Sequence, residues 1–548
     1  MASSFRGCGW AVLVTWLAVG LSEGADGTSD PVMDASGYIN ESLADCGLQA
    51  AINQVAERGG GTVQIPAGTF ALRRGLLLQN SVVLAGAGKD KTTLVPARTT
   101  LRLEIIEADT TANEVIVDQI PECLQVGSAV VASSRYPPSW YGAPRPAWIT
   151  AIDRSRNVLT LQAPYGLPAF KPGEGLLTWG DAMAIDKDVR QGDTEIQLKE
   201  ASLVRPGDEL SLGEPPNESL LAHVFVKEVR DRTAILEQPA CTDFPAWPPA
   251  DKIGNKKVNA LVWALFPLIH AANVEECGIR DLTVAGHGFD SVCPMQTRYT
   301  LAGIHIFNGK RVVIERSAVR NWPSDGISLQ AGSGCKVADC EITGCLGNGL
   351  HPGTSLADSI FQGNRLSDNG VGIYFCWHNE RHVIRQNQIL GNRGGGITGL
   401  GNPGDRENII EDNRIAGNGG PGIEINGGRS SGNVLRNNMI ENNSQEQPGK
   451  HPGIALYATV EDARRYTIEG NIIRDTQAEP TQHIGVEERH GTYRDKPTRA
   501  DENVITGNKF AGHRDADVVL AGTDTRCEDN LGAVIRRSHP ATGVKDVD

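Results

Sequence analysis

His351, Tyr374 and His378 are the residues of this chain best suited to moving a proton near neutral pH. Histidine can act as a general base there, and a tyrosine phenol can hand a proton to a leaving oxygen. Those two roles are what β-elimination from a uronic acid, or inversion at its C5, requires. His351 sits in Gly349-Leu350-His351-Pro352 and Tyr374 in Gly372-Ile373-Tyr374-Phe375, so both occupy the third place of one short phrase. The positioning of these side chains therefore depends on what the phrase builds.

The phrase recurs. It reads Gly303-Ile304-His305-Ile306, Gly326-Ile327-Ser328-Leu329, Gly396-Ile397-Thr398-Gly399, Gly422-Ile423-Glu424-Ile425, Gly453-Ile454-Ala455-Leu456 and Gly485-Val486-Glu487-Glu488, besides the two already named. Successive glycines lie 23, 23, 23, 24, 26, 31 and 32 residues apart. A sustained period of this size signals a repeat architecture. A second column confirms it: Asn364, Asn387, Asn413, Asn438, Asn471 and Asn508 each precede an any-apolar pair. Cys340 and Ser317 hold that slot earlier, and Asn530 later. Asparagine suits turns, and stacked amides can pair from one repeat to the next. Asn392 lies outside this slot. Three short strands in each turn of about 23 residues predict an all-β, right-handed parallel β-helix. Leucine-rich spacing is absent, and the glycines oppose helical repeats.

Strand residues alternate faces, so the aliphatic residue after each glycine fills the solenoid and the next residue points outward. The outward column is His305, Ser328, His351, Tyr374, Thr398, Glu424, Ala455 and Glu487. Two residues on, a parallel column reads Phe307, Gln330, Gly353, Cys376, Leu400, Asn426, Tyr457 and Arg489. Turns stack about 4.8 Å apart, so column neighbours touch. His351, Tyr374 and His378 are the catalytic candidates. His305, Ser328, Gln330, Glu424 and Asn426 are candidates for holding substrate.

With 548 residues, 63 glycines and 5% aromatics, the chain suits a solenoid of tight turns and thin strands. A net charge of −14 argues against nucleic acid and anionic membranes as partners. Arg6, the apolar run Trp10 to Leu21 and small residues to Gly24 read as a signal peptide over residues 1–24. A secreted or periplasmic protein with no membrane attachment after cleavage is expected. Export permits disulfides, yet Cys335, Cys340 and Cys345, spaced by five, fit buried thiols equally well. No Cys-x-x-Cys pair and no spaced calcium loop occurs, so neither metal nor cofactor is expected.

Leu48, Ala51, Ile52 and Val55 have helical spacing and predict an amphipathic helix that plugs the open end of the solenoid; cap and first turns span 32–100. The repeat pattern then stops. Residues 101–262 contain a module duplicated within itself: Glu114-Val115-Ile116-Val117 matches Glu195-Ile196-Gln197-Leu198, and Val158-Leu159-Thr160-Leu161 matches Ala234-Ile235-Leu236-Glu237. Alternating apolar residues predict a pair of small antiparallel β modules. Its aromatics, above all the proline-flanked Trp140 and Tyr141, can stack on sugar rings. The β-helix resumes over 263–535, with a tail at 536–548.

Leu48-Gln49-Ala50-Ala51-Ile52, Gly59-Gly60-Gly61-Thr62-Val63, Ile65-Pro66-Ala67-Gly68-Thr69-Phe70 and Leu84-Ala85-Gly86-Ala87-Gly88 resemble the N-terminal turns of the pectate lyase superfamily. The resemblance implies a right-handed β-helix whose relatives include lyases, hydrolases, epimerases and non-catalytic tailspikes. Gly349-Leu350-His351-Pro352-Gly353 resembles the Gly-Ile-Asp-Pro-His strand of mannuronan epimerases, but His351 stands in the Asp slot and Gly353 in the His slot. Asp325-Gly326-Ile327 resembles the strand of polygalacturonases, with Ser328 replacing their second Asp. Hydrolysis needs paired carboxylates. Asp325 and Glu424 are four turns apart, about 19 Å, whereas Glu424 and Glu487 are two turns apart, about 10 Å. The sequence thus points to an exported carbohydrate-active enzyme, a lyase or epimerase on a uronate-containing polysaccharide or oligosaccharide. The alternatives are a glycoside hydrolase or a binding solenoid of the same fold.

Overall fold

The computed structural model describes residues 31–97, 101–134, 145–163, 167, 175–179, 182–199, 201, 203–214, 217–241, 243, 261–263, 265–287, 299–427 and 432–537. The expected signal peptide, Trp140 and Tyr141 lie outside these residues.

Each repeat delivers three strands to three stacked sheets, forming a parallel β-helix as the period predicts. The turn that starts at Gly326 contributes Ile327–Ser333, then Lys336–Ala338, then Glu341–Thr343. The sheets hold 12, 13 and 11 strands respectively. In the 12-stranded sheet the aliphatic residue of each phrase points inward. Ile304, Ile327, Leu350, Ile373, Ile397, Ile423, Ile454 and Val486 are all buried in one continuous core. Each such side chain stabilises the fold by about 1.5–3 kcal/mol.

Buried side-chain ladders line the corners. Asn364, Asn387, Asn413, Asn438, Asn471, Asn508 and Asn530 form the expected one. From Asn387 onward, each amide oxygen accepts from the backbone N–H and the Nδ2 of its counterpart one turn earlier. Asn392 is not outside such an arrangement. It belongs to a second ladder, Asn369, Asn392, Asn418, Asn443 and Gln482, built by the same bonds. A third runs through Ser359, His382, Asn408 and Asn433. The backbone N–H groups of Cys335, Cys340 and Cys345 donate to the first member of each. Their five-residue spacing is the spacing of the ladders, and all three are free, buried thiols.

The helix Leu48–Glu57 buries Leu48, Ala51, Ile52 and Val55 against the first turns, as its spacing requires. Among the described residues no helix is long and apolar enough to cross a membrane. The insert folds as two antiparallel units. Strands between Leu101 and Trp179 close into a six-stranded barrel, and strands between Ala182 and Trp263 form a six-stranded sheet. The duplication is visible in the pairing: Glu114–Val117 pairs with Val158–Gln162, and Glu195–Gln197 with Thr233–Leu236. Trp148 is core, not a sugar platform, at 4% exposed. The second unit docks on the β-helix through Arg73, which bonds Asp208 at 2.7 Å, and through Glu209, which accepts from the Gly75 N–H at 2.8 Å.

Far-ultraviolet circular dichroism should accordingly show a β-dominated spectrum. A helix content near the ordinary globular level of about a third would contradict this architecture.

Candidate functional site

The 12-stranded sheet carries the predicted outward column in two stretches, His305 to Thr398 and Glu424 to Glu487, with a register shift between them. His305 pairs with Ser328 and Ser328 with His351. Leu350 pairs with Ile373 and Tyr374 with Thr398. Glu424 pairs with Ala455, which pairs with Glu487. His270 extends the column below His305. The second column holds at Phe307–Gln330 and Tyr457–Arg489 but fails at Leu400. Gly399 adopts φ +75°, and the register shifts by a bulge between Ile397 and Leu400. Leu400 therefore turns into the core, at 0% exposed.

His351 faces outward yet is only 4% exposed. Its Nδ1 lies 2.7 Å from Oδ2 of Asp325, a residue of the corner one turn below. The other Asp325 oxygen accepts from the backbone N–H of Asn348 at 2.8 Å and from its Nδ2 at 3.0 Å. Asp325 is fully buried. Burial opposes charge on His351, but Asp325, with a further contribution from Cys376, prevails and holds the imidazole up to about 9. The resting imidazole is thus an imidazolium at neutral pH. In that form it would donate a proton, whereas the base role expected from the sequence needs the neutral ring.

Two tyrosines flank this ion pair. The Tyr374 ring meets His351 edge-on with centroids 5.1 Å apart, and Tyr299 does so from the other side at 5.9 Å. Burial above all pushes the Tyr374 phenol up to about 12. It remains a proton donor at any ordinary pH. Below His351, Ser328 and Gln330 are buried and bonded to each other at 2.9 Å, and Gln330 Oε1 accepts from the Thr354 N–H at 3.1 Å. A Cβ at position 353 would fall 2.0 Å from the Gln330 amide, which is why Gly353 stands there. These two residues form the floor of the site. His305 lies beside them, 6.4 Å from Tyr299; burial and neighbouring histidine charges lower it to about 3, so it is neutral.

His378 is not brought to this cluster. It is exposed in a turn with φ +59°, packed over Gly404. Trp377, beside it, is 56% exposed.

Higher in the column, Glu424 is half-buried, and burial raises its carboxyl above the usual range. Glu487 accepts from the Tyr457 hydroxyl at 2.6 Å and pairs with Arg489 at 2.7 Å, while Arg489 also covers the Tyr457 ring. The Asn426 carbonyl accepts from Thr459 and Val460 and fixes the corner after Tyr457.

Sequence reasoning missed the Asp325–His351 contact, Asn348 and Tyr299. A carboxylate one turn below a histidine was a usable signal, because Asp325 was already in view as a carboxylate. Tyr299 lies outside the repeated phrase, and nothing in the period points to it.

A family model described as right-handed beta helix region matches residues 302–463. No curated protein sequence matches the chain. Among solved structures, the A-module of the mannuronan C-5 epimerase AlgE4 of Azotobacter vinelandii is similar at 15% identity, covering 91% of this chain and all of that one, with a TM-score of 0.45. The catalytic domain of a GH87 alpha-1,3-glucanase, solved with nigerose, has 10% identity, 92% and 69% coverage and a TM-score of 0.42. The Gp54 tailspike of Acinetobacter baumannii bacteriophage AP22, solved with capsular saccharide, has 8% identity, 92% and 76% coverage and a TM-score of 0.30. Three stacked parallel sheets and an N-terminal capping helix make this chain a parallel β-helix protein, and the family match places a right-handed beta helix region at residues 302–463.

Proposed function

We propose that the face around His351 is the active site of an exported enzyme that acts on a polysaccharide as a lyase or epimerase of a uronate unit. The coarse part of this reading, a carbohydrate partner, is the one that the neighbours' names share. The observation that carries the finer part is the buried Asp325–His351 ion pair facing a protonated Tyr374 at 5.1 Å. Removing the C5 proton of a uronate places charge on its carboxylate. A fixed imidazolium, already paid for in the fold, stabilises that charge without reorganising. Tyr374 then protonates the departing glycosidic oxygen in elimination, or returns a proton to C5 in epimerisation. Trp377 supplies a ring face for a sugar. The reaction also needs a base at C5, which a charged His351 does not provide.

Incubation with a panel of uronate polymers, followed by absorbance of unsaturated product and by NMR of C5 configuration, tests this. Product from neither route on any polymer overturns it. On an active polymer, turnover should fall as pH rises through about 9, because the required form of His351 is the charged one. Asp325→Asn should move that alkaline limb down toward the ordinary imidazole range near ~6.5.

A second reading has one observation in its favour. Glu424 and Glu487 do share a column with the small Ala455 between them, about 10 Å apart by strand spacing. One carboxyl is pushed toward its neutral form and the other is held by Arg489, the asymmetry an inverting glycosidase uses. Reducing ends without unsaturated product would favour it.

A further inference from the structure

The 13-stranded sheet carries a cleft near the N-terminal end of the solenoid, on a different face from the His351 column. Its volume is about 690 Å³, within the range of small-ligand sites. The sequence builds it in two ways. In the outward column of this sheet Gly278 pairs with Val83 and Val313, so a missing side chain leaves a dip between two half-buried valines. Beside it the chain leaves the capping helix through Arg58 and a run of glycines. Gly60 and Gly61 hold φ +116° and +134°, and a Cβ at either would strike the backbone of Ser81 or Pro31. Glycine there lets the loop lie close against the sheet and wall the cleft.

Charge in the cleft is unevenly matched. Two carboxylates line it, and both are engaged: Glu276 by Arg311 at 2.9 Å and Glu315 by Arg316 at 2.7 Å. Two guanidiniums are left over. Arg280 follows Gly278 by two residues on one strand, so it points to the same side, and Arg58 stands at the end of the helix. Neither guanidinium has an ion-pair or hydrogen-bond partner among the described residues. Arg280 is half-buried, so it has lost part of its water without gaining a partner.

We propose that this cleft is a second, non-catalytic binding site for a uronate unit of an acidic saccharide, held by Arg58 and Arg280. This rests on the carbohydrate reading above and not on the chemistry at His351. A uronate ring carries what the cleft matches. Its carboxylate accepts paired N–H bonds from a guanidinium, and its C–H face covers the valine and glycine floor. On a chain of net charge −14, an anionic polymer meets repulsion over much of the surface, so free cations in a cleft decide where it stays.

Phenylglyoxal modification of the full chain, read at each arginine by peptide mass spectrometry, tests this with oligogalacturonate and oligomannuronate as ligands. At a ligand concentration about ten times the dissociation constant, modification of Arg58 and Arg280 should slow by about 10-fold. Arg536, on the last strand at the far end of the solenoid, should react as before. A neutral oligosaccharide of the same length and sodium sulfate should protect neither arginine. Arg280→Ala should weaken the protection of Arg58 by about 10-fold or more. Arg280→Lys should weaken it less, because lysine keeps the charge but not the fork. Arg58→Ala with Arg280→Ala should raise KM on a long polymer while kcat holds. Equal protection by the neutral oligosaccharide, protection by sulfate alone, or none by either uronate oligomer overturns the proposal. If uronate oligomers are turned over while both arginines stay reactive, the cleft is no glycan site and the reading of the His351 face stands. If both arginines are protected and no uronate polymer yields product, the cleft proposal stands and the lyase or epimerase reading falls.

Discussion

His351→Ala should lower turnover by about 10²-fold or more and should also lower the melting temperature. The first effect follows from losing the fixed cation that faces the substrate carboxylate. The second follows from burial. Asp325 is fully buried, and its Oδ2 has His351 as partner. Removing one member of a buried pair strands the other, at a cost of about 3–5 kcal/mol. The two effects separate in the double variant. Asp325→Asn with His351→Ala removes the stranded charge, so much of the stability should return while turnover stays low. If the double variant regains activity with its stability, His351 is structural. If the single variant keeps full turnover, the site is elsewhere. The ion pair also gives stability a pH dependence of defined sign. His351 is raised in the fold from about 6.5 to about 9. The stability it contributes is complete below the unfolded value and is lost as pH rises through about 9.

The period of the chain was fully legible because every turn of a β-helix faces the same demand. An aliphatic residue must fill the same place in the core, and Ile304, Ile327 and Leu350 do so. Alternation then oriented His351 and Tyr374 correctly. It could not say what covers them. Coverage comes from residues outside the phrase, such as Tyr299, so an outward histidine became a buried one. Asp325 lies in a corner before its strand, where period-2 alternation has no meaning, and its partner is 26 residues away. His378 shows the same limit in reverse. It lies on the same segment as Tyr374, but the chain turns after Cys376 and carries it to the surface. Leu400 was misplaced because a glycine with positive φ can add a bulge that no hydrophobic pattern records.

Asn387→Ala and Asn392→Ala should both destabilise the protein strongly, and by similar amounts. Reading one ladder from the sequence makes Asn392 the site where the same change should cost less. The second ladder removes that distinction. Asn387 Oδ1 accepts from the backbone N–H and Nδ2 of Asn364, while its own Nδ2 donates to the Phe361 carbonyl and to Asn413. Asn392 does the same with Asn369, the Leu366 carbonyl and Asn418. Truncation at either place strands several buried polar groups, each worth about 1–3 kcal/mol when left unmet. A loss of about 3 kcal/mol is expected for each in urea unfolding, with the alkaline limb of activity unmoved. The suitable control is Gln388, next to Asn387 in sequence but exposed on the strand surface. Gln388→Ala should change stability by no more than about 0.5 kcal/mol. If Asn392→Ala matches Gln388→Ala instead of Asn387→Ala, the second ladder does not bear on stability, and the corner spacing of five residues loses its physical basis.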